Sequence, residues 1–344
     1  MKQLTTLAIL LSAFSLGAQD IHFSQYMESP MNLSPALAGT DASSARANLN
    51  YRNQWGSFDK AYSTMGASFD IGLMRDPNKS AFLGAGLSIL NDKAGTGGLN
   101  RMSVAGNLSS VIEVGNKSYL SVGIQGSFNQ RSISMDAFKW DAQFQNLSYN
   151  SSLASGETGG SLSKTFFDLG AGLAFVKHGN SSNLSNADDF SMIAGLAAYH
   201  INRPNQAFQG SDKMNMRYNG FLQMSFGIGG SNMSIQPQLA YWRQGTLQEI
   251  NTGMMFRYVL KPESQHTGFE RGIALSIGGF YRVKDALYPM MLLEYGDFAL
   301  GMSYDVNVSS LTPYSQSRGG FEISLRYRDL NGLVFGKPGQ RRML

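Results

Sequence analysis

Residues 117–129 read KSYLSVGIQGSFN. Leu120, Val122, Ile124 and Phe128 share one parity, and Tyr119, Ser121, Gly123, Gln125 and Ser127 share the other. Successive side chains of a strand point to opposite faces, so the stretch codes an apolar face backed by a small, polar one. The same period recurs along the chain. Ala81, Leu83, Ala85, Leu87 and Ile89 alternate with Gly84, Gly86 and Ser88. Phe298, Leu300, Met302, Tyr304 and Val306 alternate with Ala299, Gly301, Ser303, Asp305 and Asn307. Phe321, Ile323, Leu325 and Tyr327 alternate with Glu322, Ser324, Arg326 and Arg328.

Counting outward from these gives about fourteen strands, at 44–53, 61–72, 80–91, 99–113, 117–130, 166–177, 189–201, 215–229, 232–243, 247–260, 272–283, 286–296, 298–308 and 319–330. Most are far longer than the ~5–6 residues of an average soluble strand and close to the ~9–11 of a tilted membrane strand. Single-chain bacterial barrels have even strand numbers. A closed barrel also pairs every backbone group and leaves no edge in lipid. The expected fold is therefore an all-β transmembrane antiparallel barrel; a soluble β-sandwich or propeller is the alternative. Tyr51, Trp55, Tyr199, Tyr241, Trp242, Tyr258, Tyr281, Tyr295 and Tyr327 sit toward segment ends, where interfacial girdles belong. With strand one running outward, the outer loops include 131–165 and 202–214.

Composition agrees. Of 344 residues, 42% are hydrophobic, 15% charged and 39 are glycine, with no cysteine and a net charge of +4. Soluble domains carry about 25% charged residues. Disorder, a disulfide scaffold, thiol chemistry and cysteine-ligated metal are excluded. The scattered charges make no nucleic-acid footprint.

The chain opens MKQLTTLAILLSAFSLGAQD. A basic start, an apolar run and the small pair Gly17-Ala18 have the form of a cleaved export signal over 1–18. The expected organisation is the signal peptide at 1–18, an N-terminal segment at 19–43 packing in or against the barrel, the barrel at 44–330 and a tail at 331–344. The N-terminal segment contains Ile21, Phe23, Tyr26, Met27, Met31, Leu33 and Leu37 without strand or helix period. So apolar an arm favours burial, which makes it a candidate plug.

The inward-facing polar set includes Arg101, Asn107, Gln125, Gln223, Gln236, Gln238, Arg257, Arg282, Glu294, Asp305, Glu322 and Arg326. Glu294, Asp305, Glu322 and Arg326 lie on late neighbouring strands and have the charges to satisfy one another. Pro237 removes a ladder donor and calls for a bulge. The mid-strand pairs Gly84/Gly86 and Gly170/Gly172 let strands curve or let a lumen element approach. No nucleophile elbow or phosphate loop occurs. His22, His178, His200 and His266 lack metal-ligand spacing and read as surface or interfacial residues. No enzyme activity, metal or cofactor is expected.

Phe23, Ser24, Gln25 and Tyr26, then Pro30, then Asn32 and Pro35, then Ala38 and Gly39, followed by Tyr51, Arg52, Gln54 and Trp55, resemble the opening of the PorP/SprF family. The ending Gly320–Tyr327 is similar to that family's last strand. The tail 331–344 departs from a simple barrel ending. The resemblance implies an outer-membrane barrel of the Bacteroidota type IX secretion and gliding-motility machinery, without enzymatic activity. It implies contacts with a secreted substrate or adhesin C-terminal domain, or with periplasmic secretion-ring components, in a bed of outer-membrane lipid. The rival is an outer-membrane porin or hydrophobic-solute transporter.

Overall fold

The computed structural model describes residues 20–54, 62–75, 79–95, 98–145, 148–156, 160–179, 190–262, 272–309, 312 and 317–329. The expected export signal at 1–18, Trp55, His266 and the tail 331–344 lie outside them.

Fourteen antiparallel strands form one closed barrel. In chain order they are β1 Ala45–Gln54, β2 Tyr62–Leu73, β3 Ala81–Ala94, β4 Leu99–Gly115, β5 Ser118–Ser134, β6 Ser161–Lys177, β7 Phe190–Tyr199, β8 Arg217–Gly227, β9 Met233–Gln244, β10 Leu247–Lys261, β11 Ile273–Arg282, β12 Ala286–Tyr295, β13 Phe298–Asn307 and β14 Arg318–Arg328. Each strand pairs with its neighbour in sequence. β1 closes the ring on β14, from Arg46 opposite Arg328 to Gln54 opposite Gly320. No described helix is long and apolar enough to cross a membrane.

The alternation sorts the faces as the sequence requires. Leu83, Leu87, Leu108, Ile124, Leu196 and Ile277 stand exposed on the outer face. In water such a belt would far exceed the patches a soluble monomer tolerates, whereas against lipid it carries no penalty. Asn107, Ser121, Gln125, Asn219, Asp305 and Glu322, of the opposite parity, are buried inside.

Three sequence expectations need correction. Pro237 does not bulge its strand. It stays in register opposite Met254, and the β8–β9 pairing keeps the same register from Gln223–Gln238 to Phe226–Ile235 across the gap it leaves. A missing N–H therefore costs ladder bonds without shifting the strand. Register shifts occur instead at Glu113/Gly115, Val259/Lys261 and Tyr304/Val306. Tyr199 and Trp242 are not girdle residues: Tyr199 is buried, and Trp242 packs against Tyr26 of the N-terminal segment. His200 is no surface residue, at 3% exposure.

The connections 135–160 and 200–216 lie at one end of the barrel, the loop end. The short links 116–117, 228–232 and 296–297 lie at the other, the turn end. Outer-membrane barrels put longer loops outside, which makes the loop end the outer one.

Candidate functional site

Residues 20–44 run through the interior from the loop end to the turn end. They form short helical turns at Tyr26–Glu28, Pro30–Leu33 and Pro35–Leu37, the latter two with proline in the first turn, where its missing N–H is not needed. Phe23, Tyr26, Met31, Leu33, Ala36, Leu37 and Ala38 are all 3% exposed or less. Tyr26, Met31, Leu33 and Ala36–Ala38 form a core cluster with Ala174, Val176, Phe221 and Ala240 of the wall.

The fastening is densest on one wall. The Glu322 carboxylate accepts the backbone N–H of Ser24 at 2.7 Å and of Gln25 at 2.8 Å. Ser24 Oγ donates to Asp305 at 2.8 Å, and Arg282 donates back to Ser24 Oγ at 2.6 Å. Gln25 Nε2 donates to Ser303 Oγ and to the Glu322 carbonyl, while its Oε1 accepts from Ser324 Oγ. Around these, Asp305 pairs with Arg52 at 3.1 Å and Arg282 at 3.0 Å. Arg326 bridges Glu28 at 2.8 Å and Glu294 at 3.1 Å. Glu294 also holds Arg257. Buried charges persist only when paired in this way.

At the loop end Asp20 takes Arg101, His200 and Arg217 on its carboxylate, and its N–H donates to Gln244 Oε1 at 2.8 Å. His200 reaches Asp168 through its other ring nitrogen at 2.8 Å. Burial opposes the charge on both Asp20 and His200 and is outweighed. Arg101 and His200 hold the Asp20 carboxyl well below its ordinary range, and Asp20 and Asp168 raise the His200 imidazole above its own.

At the turn end Gly39 donates its N–H to Asp70 at 2.9 Å, and Asp70 holds Arg46. Arg75 donates to the carbonyls of Gly39, Asp41 and Ser43. Gly39 has φ +65°, which glycine adopts without strain. Backbone meets backbone along a track of small residues: a Cβ on Gly84 would overlap the Ala38 carbonyl, and one on Gly123 would overlap the Ala36 nitrogen. One on Gly172 would strike Ser34, whereas Gly170 faces the Tyr199 ring. Ser109 and Ser121 add hydrogen bonds to the carbonyls of Ala38 and Ala36.

The family-motif residues are thus brought together. Ser24, Gln25, Ala38, Gly39 and Arg52 make the bonds above, and Arg52 also donates to the His22 carbonyl at 2.8 Å. Phe23, Tyr26, Pro30 and Pro35 are buried, and the Asn32 carbonyl accepts from Arg217 and Asn219. Tyr51 and Gln54 stand apart, in β1 pairs with Ile323 and Gly320. Of the inward set, Glu294 and Arg326 do satisfy each other, whereas Glu322 serves the segment's backbone. Asp20, Arg46, Asp70, Asp168, His200, Arg217 and Asn219 were not singled out as site residues by the sequence. Arg46, Asp70, Asp168, Arg217 and Asn219 share the inward parity of their strands, but nothing in the sequence pairs them.

An apolar outer face, a polar interior and a closed antiparallel ring define an outer-membrane β-barrel. Solved structures of similar fold include the toluene transporter TbuX of Ralstonia pickettii, at 10% identity and TM-score 0.45, covering 88% of this chain and 93% of that one. The β domain of the Bordetella autotransporter BrkA matches at 14% and 0.36, over 83% and 99%. CdiB of Acinetobacter baumannii matches at 10% and 0.40, over 83% of this chain, which spans 60% of CdiB. No curated protein matches the chain. Residues 15–327 match the family of the type IX secretion system membrane protein PorP/SprF, and the chain belongs to that family.

Proposed function

We propose that this outer-membrane barrel is a non-enzymatic docking protein, which holds a secreted partner's C-terminal domain or a core component of the secretion apparatus. The partner contacts are protein–protein, and residues 20–44 act as a plug. The observation that carries the reading is the fastening of those residues to strands around the wall. A conducting channel must displace such a segment, together with several buried ion pairs, whereas a docking protein keeps it as a rigid floor. The described loop residues at 135–145, 148–156 and 200–216 offer the surface for a partner outside the cell. Membership of a secretion family supplies the partner class. The N-terminal export signal fits the same route.

The test is a mild-detergent pull-down of the tagged native protein from its own outer membrane, read by mass spectrometry. Co-purification of one large secreted protein, or of secretion-ring components, is the expected result. Recovery of the barrel alone, with steady conductance in planar bilayers, would transfer the role to a porin or hydrophobic-solute transporter.

A further inference from the structure

The N-terminal segment does not fill the interior. Between it and the wall of β1–β5 lies a cavity, open toward solvent and bounded at one end by the Asp20 cluster, with about 670 Å³ of empty space counting the solvent at its mouth. Asn50, Ser68, Ser88, Ser103, Ser127 and Asn129 line it from the middle to the loop end of their strands. Hydroxyl and carboxamide groups both donate and accept, and none of these six carries charge.

Three lining residues are more than nine-tenths buried and keep a polar atom without a partner among the described residues. They are Asn50 Nδ2, Asp168 Oδ1 and Arg217 Nε, on residues 5%, 3% and 8% exposed. Buried polar atoms are normally bonded, and one left unmade costs about 1–3 kcal/mol. Asp168 and Arg217 belong to one cluster, joined through His200 and Asp20. It therefore offers an acceptor and a donor at the same end of the cavity, the pair that a peptide group or a carboxamide would fill. The aromatic residue in the lining, Tyr199, has the Arg217 guanidinium over one face at 4.5 Å and is only 3% exposed, so it offers no free face for stacking a sugar ring.

We infer that this cavity is a binding site for an extended, uncharged peptide segment, rich in small and amide side chains, entering from the loop end. Assigning the segment to the secreted partner rests on the docking function proposed above. The Asp20 cluster takes one peptide group, Asn50 takes a carbonyl opposite, and the serine wall hydrogen-bonds the rest of the main chain.

The experiment places a photo-crosslinking residue in the full-length protein in its native cells, as Ser103→photo-leucine, whose diazirine side chain is no larger than leucine, with lipid-facing Leu108→photo-leucine as control. Adducts at position 103 are sequenced. The expected adduct is an uncharged peptide stretch of the protein recovered in the pull-down. The double variant Ser88→Phe/Ser103→Phe fills the cavity and lowers recovery of that partner at least tenfold, with folding checked by heat-dependent gel mobility. Asn50→Leu removes the amide without filling the space and lowers recovery by about three- to tenfold, the worth of one hydrogen bond. If the partner co-purifies but the filled variant retains it fully, or position 103 captures glycan, lipid or nothing, the inference fails and the docking function stands. If no partner co-purifies while position 103 captures an uncharged peptide of another protein, the docking function fails and the site stands.

Discussion

The two walls of the lumen are built from different chemistry. The wall of β10–β14, with β1, presents Glu249, Arg282, Glu294, Asp305, Glu322, Arg326 and Arg52. The wall of β2–β5 presents a neutral stretch of Ser68, Ser88, Ser103, Gln125, Ser127 and Asn129, between Arg101 at its loop end and Asp70 near its turn end. A buried charge must be paired or it costs several kcal/mol, so the first wall dictates where its neighbours sit. A hydroxyl or amide makes weaker demands, which a side-chain neighbour or a water can meet. The segment is pinned on the charged side and stands off from the upper part of the neutral side. Position is set by the wall that cannot be left unsatisfied, and room is left beside the wall that can.

The largest effect that would break this contrast is at Asp305. Asp305→Ala leaves Arg52 without its carboxylate and Arg282 with only Glu249 and Asp285, and a loss of about 3 kcal/mol is expected in urea unfolding followed by gel mobility. A loss under 1 kcal/mol would mean that the charged wall does not fasten the segment. Gly123→Ala is next. It lies at the foot of the neutral wall, where the segment's backbone closes on β5, and overpacking there costs about 1–3 kcal/mol in the same assay. That result would sharpen the comparison, because it separates a steric fastening from an electrostatic one on the same side.

The third prediction concerns pH. The raised His200 stabilises the Asp20 anchor most fully below the ordinary imidazole value near 6.5. The contribution is lost as pH rises through the raised value in the folded protein. Arg101 and Arg217 also pair with Asp20, so the anchor loosens rather than fails. Hydrogen exchange at the N–H of residues 20–22 should quicken with rising pH more than exchange at Ser24 and Gln25, and His200→Gln should flatten the difference. The smallest effect is at Ser88→Ala and Ser103→Ala, each expected within about 0.5 kcal/mol of the parent in unfolding. A loss above 1 kcal/mol at either would show that the neutral wall also holds the fold.

Most of the barrel was legible in the alternation. Parity assigned Leu87 to lipid and Gln125 to the interior, because a membrane strand leaves no third environment. Glycine composition was legible only as smallness. Gly84 and Gly172 read as places where something approaches, but the backbone that does so comes from residues far away in sequence. Tyr199, His200 and Trp242 were misplaced for a related reason. An aromatic or imidazole near a strand end looks the same whether it meets headgroups or a chain crossing the lumen. Pro237 was misread because loss of a donor was equated with loss of register, and a neighbouring strand can tolerate the first without the second.

Asp20 is seated at the loop end, although β1 begins at the turn end only twenty-five residues later. Residues 20–44 and β1 therefore form one hairpin with its arms in different layers, the first inside the lumen and the second in the wall. A single turn near Ser44 thus sets both the seat of the inner arm and the strand that closes the ring on β14.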